Sequence, residues 1–336
     1  MNQHFIPEFL LRGFAHRVKG RNHYVFLFRR DEPPRETNTK NVATSRFFYG
    51  SPTETTADEI LTRREGRAYA PLVGELRRGS IHPEQKPLVD EFVTHLIVRT
   101  KNARDAVASL GEAALDAIDR QLETASGRTV IRARAKVRIL ENPGILQALA
   151  SLSRSQRRRI LAHLDKPLIC QDPRQAMEEL RRELGEADLL RLAARAQATA
   201  LETVEAPRLS TGSLAPFRWS VVTMAAGDLV LGDLGPLAQF GDDIRAPLHG
   251  GDPLDALFLP VSSRHLLIGA PDGARLETDA DTINRASAGY SREFFVASQN
   301  TEREREYQVL LGQRSLDHPD WMDRAAHRAF ERGRAN

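Results

Sequence analysis

His4, Arg12, Glu65, Arg99, Asp233 and Asn284 are residues whose types, taken together, can do chemistry on a phosphate ester. Arginine grips an anion through two parallel hydrogen bonds. A carboxylate orients an imidazole or takes a metal, and histidine moves a proton near neutral pH. In that role His4 is the acid or base, with Pro7 helping to fix its approach, and Glu65 and Asp233 are the catalytic carboxylates. Arg12 and Arg99 clamp the phosphate, Asn284 joins them in holding substrate, and Mg²⁺ is the cofactor that oxygen ligands of this kind would take. The same residues have an architectural reading, which stays open at this point. Arg12 would pair with Glu65 to lock the N-terminus onto the helices. Asp233 would serve an Asx turn, Asn284 would bond only to backbone, and Arg99 would be a helix-end cation.

The elements that must position these residues can be read from periodicity. His23 to Arg30 has strand composition, ended by Pro33-Pro34, and a second short strand is expected from Val42 to Tyr49. From Ala57 to Ala206 the pattern is helical. Ile60, Leu61, Ala68, Leu72, Val73 and Leu76 recur at three- and four-residue steps, with Gly79 as the stop. Leu88 to Arg99 continues the pattern and puts His95 and Arg99 one turn apart on one face. Beyond Pro207 the period changes. Strands are expected at Phe217–Met224, Asp228–Leu231, Ala256–Val261, His265–Ile268 and Phe294–Ala297, a helix at Thr282–Ser291, and helices again in the tail. The fold class is α+β: a mixed β/α C-terminal region joined by N-terminal strands, with a long all-helical insertion between them. The expected segments are 1–55 (N-terminal strands on the C-terminal sheet), 56–206 (helical), 207–300 (mixed β/α) and 301–336 (C-terminal helices).

Composition excludes several classes. Apolar residues make up 41% and charged residues 28% of 336, ordinary globular usage. No apolar run approaches the ~20 residues of a membrane span, and no charged-then-apolar leader follows Met1, so a cytoplasmic protein with no membrane partner is expected. Cys170 is alone. No P-loop, nucleophile elbow, dinucleotide fingerprint or His-Glu-x-x-His motif is present. Of 48 basic residues, six are lysine, which leaves 48 − 6 = 42 arginines in a chain of net charge +3. Nine of the basic residues, Arg128 to Arg138 with Arg154, Arg157, Arg158 and Arg159, share residues 128–159 with a single acid, Glu141, giving 9 − 1 = +8. Such a stripe suits nucleic-acid phosphates, or it is a solvated helix face. The aspartates at 228, 233, 242, 243, 252 and 255 lack EF-hand spacing and read as polar loops.

Several segments carry a resemblance. His4-Phe5-Ile6-Pro7 followed by Leu11-Arg12-Gly13-Phe14 resembles the opening signature of the bacterial domain of unknown function 4238 family. Thr39-Lys40-Asn41-Val42-Ala43, Arg64-Glu65-Gly66, Val98-Arg99-Thr100, Phe258-Leu259-Pro260 and Ile283-Asn284-Arg285 are similar to its later segments, in order. Leu231 to Leu237 resembles its Ser-Asp-Asn-Pro turn, with Gly232 where that turn has serine and Leu234-Gly235 where it has asparagine. The six polar residues above lie inside these segments, and the family brings no activity to carry over. The expectation is therefore a phosphoester-directed hydrolase acting on nucleic acid or nucleotide, a nuclease suited to bacterial stress or phage defence. The alternative is a non-catalytic nucleic-acid or protein binder using the arginine-rich helical face, and a third option is a structural or regulatory subunit.

Overall fold

The computed structural model describes residues 2–46, 48, 56–122, 153–155, 193–194, 197–198, 200–201, 214–247, 254–271 and 278–314. Two compact units are present, Met1–Ser109 with Leu190–Ala325, and Leu110–Leu189 with Ala326–Asn336. All six candidate residues belong to the first. Of the second, the described part is residues 110–122 and residues 153–155.

The N-terminal strands are β1 (Asn2–His4), β2 (Arg17–Lys19), β3 (Asn22–Arg29), β4 (Arg35–Asn38) and β5 (Thr44–Arg46). The short helix α1 (Glu8–Leu11) falls between β1 and β2. The aromatic and β-branched run of β3 buries Val25, Leu27 and Phe28, as a strand covered on both faces requires. After it the chain turns through Asp31 at φ 60° and returns as β4, a strand too polar to be legible by composition. The C-terminal strands are β6 (Phe217–Thr223), β7 (Leu231–Gly232), β8 (Leu237–Phe240), β9 (Asp243–Arg245), β10 (Ala256–Pro260), β11 (His265–Pro271) and β12 (Phe294–Ala297).

Two five-stranded sheets form, together with a β1–β5 pair. One sheet, β6-β11-β10-β8-β9, is made wholly of C-terminal strands. The other, β2-β3-β12-β7, is shared between the two ends of the chain, with β4 added on β3. β12 pairs antiparallel with β3, setting Phe295 opposite Phe28, and the two rings stack at 4.7 Å. Of the N-terminal strands, β2, β3 and β4 thus share a sheet with C-terminal strands, while β1 and β5, among the described residues, pair only with each other.

The described helices run α2 (Thr56–Arg64), a π-turn (Glu65–Tyr69), α3 (Ala70–Leu76), α4 (Lys86–Val98) and α5 (Lys101–Leu122), then α6 (Ala280–Tyr290) and α7 (Glu302–Val309). Asp58 and Glu59 in the first turn of α2, and Arg63 and Arg64 in its last, match the helix dipole. α4 buries Val89, Phe92, Val93, Leu96 and Ile97 into a core that α1, α3 and both sheets share. Thr94 and His95 are also buried, so α4 is enclosed on more than its apolar face.

Candidate functional site

The π-turn is where the first polar cluster is built. A π-turn widens the helix by one residue and turns side chains that an α-helix would aim elsewhere. Here Tyr69 is buried, Glu65 is half-buried, and both point toward the C-terminal half of α4. Glu65 Oε1 accepts from Arg99 Nη1 in a close ion pair, and Arg99 Nη2 donates to the His4 carbonyl at 2.6 Å. Arg99 is 3% exposed and caps the end of α4, so its charge is spent on holding β1 to the helices. Asp58, about two turns earlier on α2, hydrogen-bonds the Gln3 side chain. Burial lifts its carboxyl above the ordinary range, and Glu65 adds to the lift.

His4 lies on the other side of this ion pair. Burial pulls its imidazole below the ordinary value. Glu8 works in the opposite direction, Arg99 adds to the lowering, and the backbone at Thr39 hydrogen-bonds the ring. Glu8 Oε1 accepts from Thr39 Oγ1 at 3.2 Å and lies 3.1 Å from Arg12 Nη2. His4, Glu8, Thr39 and Arg12 thus form one run that leads from the interior to an exposed guanidinium, with the Arg12 side chain 41% exposed.

A second network is stacked on the first along α4. Tyr69 Oη lies 2.6 Å from Glu91 Oε1 and 2.7 Å from His95 Nδ1, while Arg64 Nη1 reaches Glu91 at 3.2 Å and His95 Nε2 at 3.4 Å. The phenol has one proton, and it goes to the carboxylate. His95 therefore donates from Nδ1 to the phenol oxygen and offers the Nε2 lone pair to Arg64. Burial, with Arg64 and Arg99 beside it, lowers His95 to about 4. Burial and Glu91 push the Tyr69 hydroxyl upward, so both side chains stay neutral at pH 7. Sequence offered one signal here, the spacing that puts His95 one turn before Arg99 of the first cluster, and none for Tyr69 or Glu91.

The expected set does not assemble as a whole. His4, Glu65 and Arg99 come together, and Arg12 reaches His4 only through Glu8. The expected lock between Arg12 and Glu65 is a correction: Arg99 takes Glu65, because it reaches the π-turn from the interior while Arg12 lies at the surface. A second lock, absent from the sequence reading, is Arg77. Its guanidinium donates to the carbonyls of Phe9 and Leu10 at 2.9 Å and of Val261 at 2.7 Å, and burial brings it down to about 10.

Asp233 stands apart. Its carboxylate accepts backbone N–H groups from Arg292 at 3.0 Å, Glu293 at 2.6 Å and Phe294 at 3.4 Å. Burial raises it to about 6 against the pull of those amides. It stitches the 232–235 turn to the start of β12, and no oxygen is left facing a reactant. Asn284 does similar work: Oδ1 accepts from Val230 N at 2.9 Å and Nδ2 donates to Asp228 O at 2.8 Å. Gly232, which stands where the resembled turn has serine, has no room for a side chain, because a Cβ would overlap Ser291 Oγ. The hydroxyls at that turn come instead from Ser287, which bonds Gly232 N at 3.0 Å, and from Ser291.

Of the arginine stripe, Arg154 is described and exposed; Arg128 to Arg138, Arg157, Arg158 and Arg159 lie outside the described residues. Among the described residues no group of three or more His, Cys, Asp or Glu is placed to hold a metal ion, and no helix is long and apolar enough to cross a membrane. The Asp228 carboxylate is taken up by Ser298, Gln299 and Arg264, and Asp255 accepts from Gly241 N. Comparison with known proteins gave one family, described as Protein of unknown function (DUF4238), whose sequence profile matches residues 2–302. Neither curated proteins nor solved structures gave a match.

Proposed function

The chain belongs to the DUF4238 family, whose description assigns no function, and we propose from its own geometry that it is a phosphoester-directed hydrolase acting on a nucleotide or nucleic acid, with its acid–base chemistry at His4. The observation that carries this reading is the run His4–Thr39–Glu8–Arg12, a half-buried imidazole linked through a carboxylate to an exposed guanidinium. A lowered pKa keeps His4 neutral at pH 7, the form with a lone pair to take a proton, and an attacking water must reach the buried Nε2 to use it. Arg12 is the cation that meets a phosphate from solvent, through the planar fork that suits it. Arg99 and Glu65 position His4 by holding the β1 carbonyl and do not touch substrate. Perturbed ionisable groups gathered from several elements are a recognised mark of functional sites.

The test is turnover on a panel of phosphomonoesters, cyclic nucleotides, and single- and double-stranded RNA and DNA, each with and without Mg²⁺. His4→Ala is expected to lower kcat by roughly 10²- to 10⁴-fold. Arg12→Ala is expected to raise KM with a smaller change in kcat. The acid limb of the rate profile should fall below pH 6.5, the ordinary histidine value. No turnover across the panel, or full turnover by His4→Ala, overturns the proposal.

A further inference from the structure

At the N-terminal end of α4, away from His4 and Arg99, a cleft of about 160 Å³ is lined by Ile81, His82, Pro83, Lys86, Arg218 and Trp219. The 13 residues of α4 put its two ends about 20 Å apart. Trp219 belongs to β6, an edge strand of the C-terminal sheet, and its register partner on β11 is Gly269. The indole lies over that glycine, since a Cβ at 269 would run into the six-membered ring. The indole N–H donates to Asp90 Oδ1 at 2.6 Å, and Lys86 Nζ sits 2.5 Å from Asp90 Oδ2 and 2.9 Å from Leu214 O. The ring is thus fixed from below by Gly269 and at its edge by Asp90, while Trp219 remains partly exposed toward the cleft. Arg218 is exposed at the rim, and the one acid in contact with the lining, Asp90, is bonded to Lys86 and to the indole N–H.

A fixed aromatic surface beside the exposed Arg218, with Lys86 held in place by Asp90, suits a flat ring that carries an anionic group. The volume is below the roughly 300 Å³ at which drug-sized sites begin, so the cleft takes the stacked base while the sugar and phosphate lie at its open rim. We propose that this cleft binds a single nucleotide unit, its base stacked on Trp219 and its phosphate held by Lys86 and Arg218. Stacking on an aromatic side chain is tolerant of base identity, so recognition here is of the class rather than of one base. The site stands independently of the acid–base reading, because it uses different residues at the opposite end of α4 and requires no turnover. The same chemistry can come from a free nucleotide or from an unstacked position of a single strand.

The full chain is titrated by calorimetry with adenosine 5′-monophosphate, adenosine, inorganic phosphate, a short single-stranded oligonucleotide and its duplex. The expected result is saturable binding of the monophosphate or the single strand, tighter than that of adenosine, phosphate or duplex. Whichever of the first two binds more tightly identifies the source. Arg218→Glu, at an exposed position, should weaken the monophosphate about ten-fold or more and leave adenosine nearly unchanged. Trp219→Leu should weaken both by roughly ten-fold or more, and Trp219→Phe should retain most of the binding. Circular dichroism confirms that each variant is folded. No saturable binding, phosphate binding as tightly as the monophosphate, or unchanged affinity in folded Arg218→Glu overturns the proposal.

Discussion

Glu65 and Asp233 are two carboxylates from family-like segments, and the molecule removes each from water in a different way. Glu65, on the π-turn, is met by one full counter-charge, Arg99, whose other nitrogen holds the His4 carbonyl. Asp233, in the turn after β7, is met by three backbone N–H groups from residues 292–294 and by no cation. The ion-paired solution ties three separate elements through one side chain and keeps a titratable histidine nearby. The amide solution closes a single turn against a single strand and leaves nothing to react. Two acids that look equivalent in sequence thus differ in what depends on them, which is why the functional proposal follows the first region and not the second.

The largest effect is expected from Arg99→Met. It leaves the half-buried Glu65 and the His4 carbonyl without their donor, and breaking such a pair on one side costs about 3–5 kcal/mol. Urea denaturation measures this, and Glu65→Gln added to Arg99→Met should restore part of the loss, the signature of a coupled pair. Equal stability of the two variants would remove the lock.

Asp233→Ala comes next, at about 2–3 kcal/mol, because hydrogen bonds to a charged group are the stronger kind and three amides lose their acceptor. This loss should add to that of Arg99→Met without coupling, because the two sites share no partner. A coupling energy above about 0.5 kcal/mol would mean that the regions communicate.

Acidity separates the two regions by sign. His95, beside the ion-paired region, falls from an ordinary 6.5 to about 4. Its neutral form is the folded one, and stability present above pH 6.5 is lost as pH drops toward 4. Asp233 rises from an ordinary 3.8 to about 6, so stability present below pH 3.8 is lost as pH climbs through 6. Each proton contributes up to about 1.4 kcal/mol per pH unit. The two slopes oppose each other between pH 4 and 6, so the wild type should show a shallow dependence there. His95→Gln should expose a fall in stability with rising pH, and Asp233→Asn the reverse. Identical profiles for both variants would show that neither group titrates as described.

The smallest effect belongs to Arg12→Ala. An exposed pair with Glu8 one turn away contributes about 0.5 kcal/mol or less. Thermal unfolding should barely move, and a large drop would mean that Arg12 is a lock after all.

Much of the architecture was legible in the chain. The aromatic run of β3, the apolar strand β12 and the amphipathic face of α6 each carry their pattern within one element, where period and composition suffice. β12 appears at the expected residues, Phe294–Ala297. The strands that composition missed are short and polar, such as β4, or lie between turns, such as β8 and β9. Such strands exist because a neighbour supplies the ladder, and their own residues do not demand it. Within the candidate site, His4, Glu65 and Arg99 could be picked out as residue types, and the i, i+4 spacing of His95 and Arg99 was visible on α4. The Tyr69–Glu91 bond, the π-turn and the Arg77 lock were not, since each joins residues far apart in sequence and leaves no periodic trace.

What the chain states by itself is local: which stretches are helical or extended, which residues carry charge, and an α+β order with the basic excess held by arginine. Which arginine meets which acid is a different kind of fact. Arg12 and Arg99 are chemically identical, and the pairing with Glu65 that was one reading of Arg12 belongs to Arg99, because the end of α4 carries Arg99 inside while Arg12, just after α1, lies at the surface. Burial and distance set the strength of a charge pair, and both arise only when the elements pack.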